Sequence, residues 1–287
     1  MKKKDERWIR YCSHNPTIYL KTENLLEALR LHTVCESAQC PNQGKCFAEG
    51  TATFLLLGNT CTRNCSFCAV EHGSPQSVDE GEPYRISQAV KILQLDHVVL
   101  TSVTRDDLPD GGSSQFVKTI RAIREVNPGV TIEILIPDFK GSEYALKSIL
   151  SESPEVVNHN LETVPRLYPK VRPQADYQRS LKLLRQAKDY QPYSYTKSGL
   201  MVGLGESYEE VTTLMGELRS VDCDFLTIGQ YLRPSFNHHP IIRHVDQEEF
   251  ESYKEIGEKM GFKTIFSSRF VRSSFLAGEF FKKALNK

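Results

Sequence analysis

Short apolar, β-branched runs recur along the chain and alternate with stretches whose apolar residues return every three or four positions. The runs at 53–57, 97–101, 131–136, 156–159, 200–204 and 225–230 predict strands. The stretches between them, at 85–95, 115–126, 143–150, 177–187 and 209–219, predict helices. In the last of these, Val211, Leu214, Met215 and Leu218 fall at i, i+3, i+4 and i+7, one helical face. Pro83 precedes the first helix, and Ser113-Ser114 is the expected cap of the second. Six strand–helix alternations predict an α/β fold, a parallel sheet curling into a closed or partial barrel with ligands at the C-terminal strand ends. Residues 1–50 form an N-terminal extension with one predicted helix (23–31), 51–262 the barrel, and 263–287 a Ser/Phe-rich C-terminal tail. A Pro- and His-containing loop (233–240) and a helix at 247–260 close the barrel segment.

Charge changes this picture little. The 287 residues carry 36 Lys+Arg and 36 Asp+Glu, so zero net charge argues against bulk binding to nucleic acid or an anionic membrane. No apolar h-region follows the charged residues 1–8, and no apolar run approaches the length of a bilayer span, so a cytoplasmic protein is expected.

The cysteines change it more. Six of the eight lie within 34 consecutive residues, in two triplets. In a secreted mini-protein this density would suggest disulfides; in a reducing compartment it suggests metal or cluster binding. Cys61, Cys65 and Cys68 are spaced Cys-x3-Cys-x2-Cys in the loop after the first predicted strand. Three thiolates on one loop can hold a [4Fe–4S] cube while leaving one iron open to a small molecule. A tetrahedral zinc site completed by a distant His or Cys, in a binding module without catalysis, is the alternative. Arg63 within the loop is expected to offset thiolate charge. Earlier in the chain, Cys35, Cys40 and Cys46 form the first, looser triplet, Cys-x4-Cys-x5-Cys, which makes Cys61, Cys65 and Cys68 the second. Cys223 reads as a small buried hydrophobe, Cys12 stands alone, His159 reads as a core residue, and His238-His239 as a solvated pair.

The second triplet, with Phe67 before its last cysteine, resembles the radical S-adenosylmethionine (SAM) superfamily. Residues 199–206, Gly-Leu-Met-Val-Gly-Leu-Gly-Glu, resemble that superfamily's fifth-strand motif, which packs on the adenine and makes Gly203 a cofactor contact. Further motifs narrow the resemblance to lipoyl synthases over nearly the whole chain from Thr33: Thr33-Val34-Cys35-Glu36, 101–108, 158–163, 196–199, 229–232 and Arg272-Ser273-Ser274. A biotin-synthase-like or methylthiotransferase-like enzyme would place its second set of ligands elsewhere.

The resemblance implies a partial (β/α)6 TIM-like radical SAM barrel with N- and C-terminal extensions, and a sulfurtransferase. It implies two [4Fe–4S] clusters, one on Cys61, Cys65 and Cys68 that binds SAM, the other on Cys35, Cys40, Cys46 and Ser274. Hydrogen abstraction at C6 and C8 of an octanoyl group, borne on a lysine of a lipoyl carrier domain, is followed by insertion of two sulfur atoms from the second cluster. The implied partners are the E2 subunit of a 2-oxoacid dehydrogenase or the H protein of glycine cleavage, and a low-potential donor such as ferredoxin or flavodoxin. Thr101, Arg105, Glu133, Asn158, Asn160 and Arg172 are the implied SAM contacts. The chain departs from the family at Phe275, where a tyrosine is usual, and lacks the superfamily's Gly-Gly-Glu after the second strand.

Overall fold

A computed structural model describes residues 15–285; Cys12 and the charged segment 1–8 lie outside them. Seven parallel strands run in sequential order: β1 (Thr53–Leu56), β2 (His97–Ser102), β3 (Thr131–Leu135), β4 (Val156–Asn158), β5 (Tyr195–Val202), β6 (Phe225–Gln230) and β7 (Thr264–Ser267). Each pairs only with its neighbours in sequence, and β1 and β7 are not paired with each other. The expectation of an α/β fold with a parallel sheet holds. The sheet has one strand more than expected, because β7, four residues long, lies in the segment read as tail.

Strands buried on both faces need continuous apolar sequence, and β1 and β6 are buried at every position. The crossover helices are α4 (Glu82–Ile92), α5 (Ser113–Val126), α6 (Glu143–Leu150), α8 (Tyr177–Tyr190), α9 (Tyr208–Ser220) and α10 (Gln247–Lys259), with the one-turn α7 (Tyr168–Val171) after β4. α9 starts at a capping box, Ser207 and Glu210 exchanging hydrogen bonds with each other's backbone. The start of α5 differs from expectation. Gly112 (φ +88°) is its N-cap, and Asp110, not a serine, accepts from Gly112 N (3.0 Å) and Ser114 N (2.8 Å). Asp accepts two donors where a serine hydroxyl typically takes one, and only glycine enters that left-handed corner without strain.

The N-terminal extension holds α1 (Pro16–Ala28), capped by Asn15 well before the expected start, and the short α2 (Val34–Ser37) and α3 (Gln43–Ala48). It covers the free edge of β1: Leu55 N donates to His32 O (2.8 Å), and Thr33 bridges Phe54. The tail ends in α11 (Ala277–Leu285), whose Phe280 and Phe281 pack on Val156 and Phe225. No helix among the described residues is long and apolar enough to cross a membrane.

Candidate functional site

The chain leaves β1 through two left-handed residues, Leu57 (φ +69°) and Gly58 (φ +87°), into the loop carrying Cys61, Cys65 and Cys68. Residues 60–61 pair in parallel with 71–72, drawing the ends of the loop together. Neighbouring segments hold it down: Thr62 N and Oγ1 donate to Thr104 O just past β2 (3.0 and 2.9 Å), and Ser66 N donates to Val171 O at the end of α7 (3.0 Å). The backbone N–H groups of Arg63 (3.4 Å) and Thr104 (3.3 Å) point at Cys61 Sγ.

Arg63 does not do what its position suggested. Its guanidinium is buried and bidentate to Asp106 (2.7 and 3.0 Å), with a further bond to Asp138 (2.6 Å). Burial opposes ionisation of Asp138, but the hydrogen bond and charge of Arg63 outweigh it and hold the carboxyl at about 2. The charge of Arg63 is therefore matched by carboxylates. The cation beside the thiols is Arg172, which opposes the effect of burial at Cys65.

Cys35 lies in α2, where Thr33 caps Glu36 N (3.2 Å) and donates back to the Glu36 carboxylate (2.5 Å). Cys46 is in α3, and Cys40 in the turn between. All seven described cysteines are free thiols. Burial pushes Cys35 and Cys40 up, and Cys46 and Cys68 up to about 12. Cys40 adds repulsion at Cys35 and Cys46, and Arg272 counteracts burial at Cys40. Buried thiolates that repel one another need a cationic group among them, and an iron–sulfur cluster is such a group. Among the described residues no three His, Cys, Asp or Glu side chains converge as for a single metal ion; the thiolates of a cube bind separate irons and need not meet at a point.

A cavity of about 1240 Å³ runs from the Cys35, Cys40 and Cys46 triplet to Cys68. Cys35, Cys40, Cys46 and Ser274 line one part of it and Cys68 another, with Leu135, Leu200, Met201, Leu232 and Ile241 as apolar wall. Of the expected SAM contacts only Asn160 is in this lining. Arg172 lies beside Cys65, its Nη1 bonded to Asn160 O (2.9 Å) and Leu161 O (3.0 Å), while its buried Nε has no partner. Arg105 Nη1 and the Oδ1 atoms of Asn158 and Asn160 are also buried without partners, groups a ligand can satisfy. Thr101 is occupied, donating to Leu135 O (2.9 Å). Glu133 is fully buried against Lys197 (2.8 and 3.1 Å) and accepts from Asn158 (3.2 Å), deeper in the sheet. Gly203 (φ +99°) leaves room for Gln230, whose Nε2 would be 2.2 Å from an added Cβ.

His238 and His239 are not a solvated pair. His238 Nε2 meets Cys68 O (3.0 Å), His239 Nε2 meets Leu204 O (2.9 Å), and His239 N donates to Ser66 O (2.8 Å). The loop 233–240 is thus fastened to the cysteine loop, because those carbonyls need donors. His159 is a satisfied core residue, bonded to Ile136 O and Ser180, and Cys223 is fully buried, both as expected. Sequence reasoning missed Glu162, which lines the cavity at φ +66° and bonds Asn160 (2.9 Å). It also passed over Asn42, whose place between Cys40 and Cys46 was the only local signal.

The sequence profile described as the Radical SAM superfamily matches residues 55–218. The chain is 56% identical to a lipoyl synthase of Caldanaerobacter subterraneus subsp. tengcongensis, over 90% of each chain. It is 54% identical to a lipoyl synthase of Aquifex aeolicus, over 90% of this chain and 94% of that one. Among solved structures it resembles Streptococcus suis SuiB bound to S-adenosylmethionine, with a TM-score of 0.61 at 13% identity over 83% of this chain and 57% of that one. HydG, a maturase of the [FeFe]-hydrogenase, gives 0.60 at 13% over 94% and 67%. At such identities these two likenesses speak for the fold.

Proposed function

Because this chain belongs to the lipoyl synthase family of the radical SAM superfamily, and so is a sulfurtransferase that uses SAM and a [4Fe–4S] cluster, we propose that it inserts two sulfur atoms, at C6 and C8, into an octanoyl group carried on a lysine of a lipoyl domain. The observation that carries this reading is one largely apolar cavity lined by Cys35, Cys40 and Cys46 of one triplet and by Cys68 of the other, with Ser274 on its wall.

In this reading Cys61, Cys65 and Cys68 hold the cluster that binds SAM, and Cys35, Cys40, Cys46 and Ser274 hold the second. When bound, SAM and the clusters would supply the hydrogen-abstracting radical and the sulfur, the reducing electron being relayed from an external donor. An octanoyl methylene offers no acidic proton and no leaving group, so side chains alone cannot functionalise it. The residues position it instead. Leu200, Met201, Leu232 and Ile241 take the acyl chain and exclude water. Arg105 and Arg172, each with a buried donor left without a partner, would hold the methionyl end of SAM, and Asn160, whose Oδ1 is likewise unpartnered, its hydroxyls. A serine oxygen among thiolates is a weak partner for cluster iron, suited to a ligand that must let go. The substrate arm comes from an E2 or H-protein lipoyl domain, and the electron from a ferredoxin or flavodoxin.

Anaerobic reconstitution followed by iron, sulfide and zinc analysis tests the ligand assignment: roughly eight irons per chain is expected, and zinc with little iron overturns it. Incubating the loaded chain with octanoyl-lysyl carrier, SAM and reductant should yield lipoyl product with two 5′-deoxyadenosines. A carrier left without sulfur would end the proposal.

A further inference from the structure

The two serines of Arg272-Ser273-Ser274 have different surroundings. Ser274 borders the cavity with the first triplet, and its hydroxyl meets no hydrogen-bonding partner among the described residues. Ser273 is tied to the barrel. Its Oγ accepts from Asn160 Nδ2 at 2.7 Å, and it sits over Gly199, where an added Cβ would be 2.7 Å from that oxygen and 2.8 Å from Asn160 Oδ1. The glycine of the fifth strand thus admits the tail into the barrel. Three residues earlier, Phe270 O accepts from Asn42 Nδ2 at 2.7 Å. Asn42 is buried between Cys40 and Cys46, and Asn160 is buried at the end of β4.

We propose that Asn42 and Asn160 are positioning residues that clamp the tail at Phe270 and Ser273 so that Ser274 is presented to the first triplet. The inference rests on reading Ser274 as a cluster ligand. A weak oxygen ligand cannot by itself order a mobile segment, since ordering each residue loses backbone entropy; a tail already held at two points has lost most of it. One end of the clamp is set by the loop that carries the cysteines. The other is set by a residue that also bonds Glu162 (2.9 Å) and whose carbonyl accepts from Arg172 (2.9 Å), the cation beside Cys65. The serine is therefore held in register with both triplets at once.

Hydrogen exchange of the cluster-free chain and iron spectroscopy of the reconstituted chain test this. In the cluster-free chain, Ser273→Ala and Asn42→Ala should speed exchange across 268–276 by about fivefold or more, with Ser274→Ala unchanged. In the reconstituted chain, Ser273→Ala should lose the Mössbauer signal of an oxygen-ligated iron and cut sulfur insertion about tenfold, with 5′-deoxyadenosine formation within about twofold of wild type. Retained 5′-deoxyadenosine formation also certifies the fold, and Asn42→Ala probes the opposite end should Ser273→Ala unfold. Wild-type exchange and an unchanged iron spectrum in both variants would overturn the clamp. A wild-type chain without oxygen-ligated iron would instead remove the Ser274 reading, leaving the exchange rates to decide whether the tail is clamped.

Discussion

Asp138 is buried with two cations on it, Arg63 at 2.6 Å and Arg179 at 3.2 Å. Removing Arg63 leaves Asp138 with the more exposed partner and strips Asp106 of its bidentate contact. Arg63→Ala should therefore lower stability by about 3 kcal/mol, read as a fall in the urea midpoint at constant slope. His159 sets a pH dependence. Burial, reinforced by the nearby Arg172 charge, disfavours its cation and lowers its pKa from the ordinary 6.5 to about 4. Between these values the unfolded chain binds the proton that the folded chain refuses, so stability falls as the pH drops from about 6.5 towards 4 and is complete above that window. The loss at pH 5 should be about 2 kcal/mol, and His159→Gln should flatten that slope while lowering stability at pH 8. A wild-type slope in the variant would exclude His159 as its source. Both histidine readings began from sequence neighbours alone. His159 directly follows the apolar strand β4, so its burial was legible; His238 and His239 sit among Pro, Ser and Asn, and the carbonyls they satisfy, at Cys68 and Leu204, come from other loops.

At the scale of elements, the end of β5 and the tail helix each make a crowded contact. Gly203 closes β5 with φ +99°, and an added Cβ would stand 2.6 Å from Arg243 O as well as against Gln230. Gln230 in turn donates to Val202 O (3.1 Å) and Arg243 O (3.2 Å), tying β5 to the connection into α10. Gly203→Ala should lower stability by about 3 kcal/mol, measured by urea unfolding. Phe280 of α11 packs on Phe225 and Phe266 and lies 4.8 Å from Lys197 Nζ, covering the buried Lys197–Glu133 pair. Burial opposes the charge on Glu133, but Lys197 lowers its pKa and keeps it ionised. Phe280→Ala should lower stability by about 4 kcal/mol and speed exchange of the Lys197 backbone amide; unchanged exchange would deny α11 this covering role. The long elements were legible because their periods are strong: α6 begins and ends where the pattern placed it. β7 was not, because four residues against one neighbour carry too little pattern to separate a strand from a tail.

At the scale of the molecule, the cavity joins residues from opposite ends of the chain. Ser274→Ala should abolish most sulfur insertion while leaving 5′-deoxyadenosine formation, because the triplet at 61–68 is untouched. Ser274→Cys should retain the second cluster but slow turnover, a thiolate being a stronger ligand than a serine oxygen. Full sulfur insertion in both variants would remove Ser274 from the ligand set. The chain alone determined the strand–helix alternation, the parallel sheet and both triplets, because periodicity and spacing are local and survive without a fold, and its motifs carried the resemblance to the family. Only the tertiary structure decided which residues face the cavity, which carboxylates neutralise Arg63, and how a loop at Asn42 grips a carbonyl 228 residues away. Those contacts follow from the order of strands in the sheet and from packing across it, and no local period encodes either.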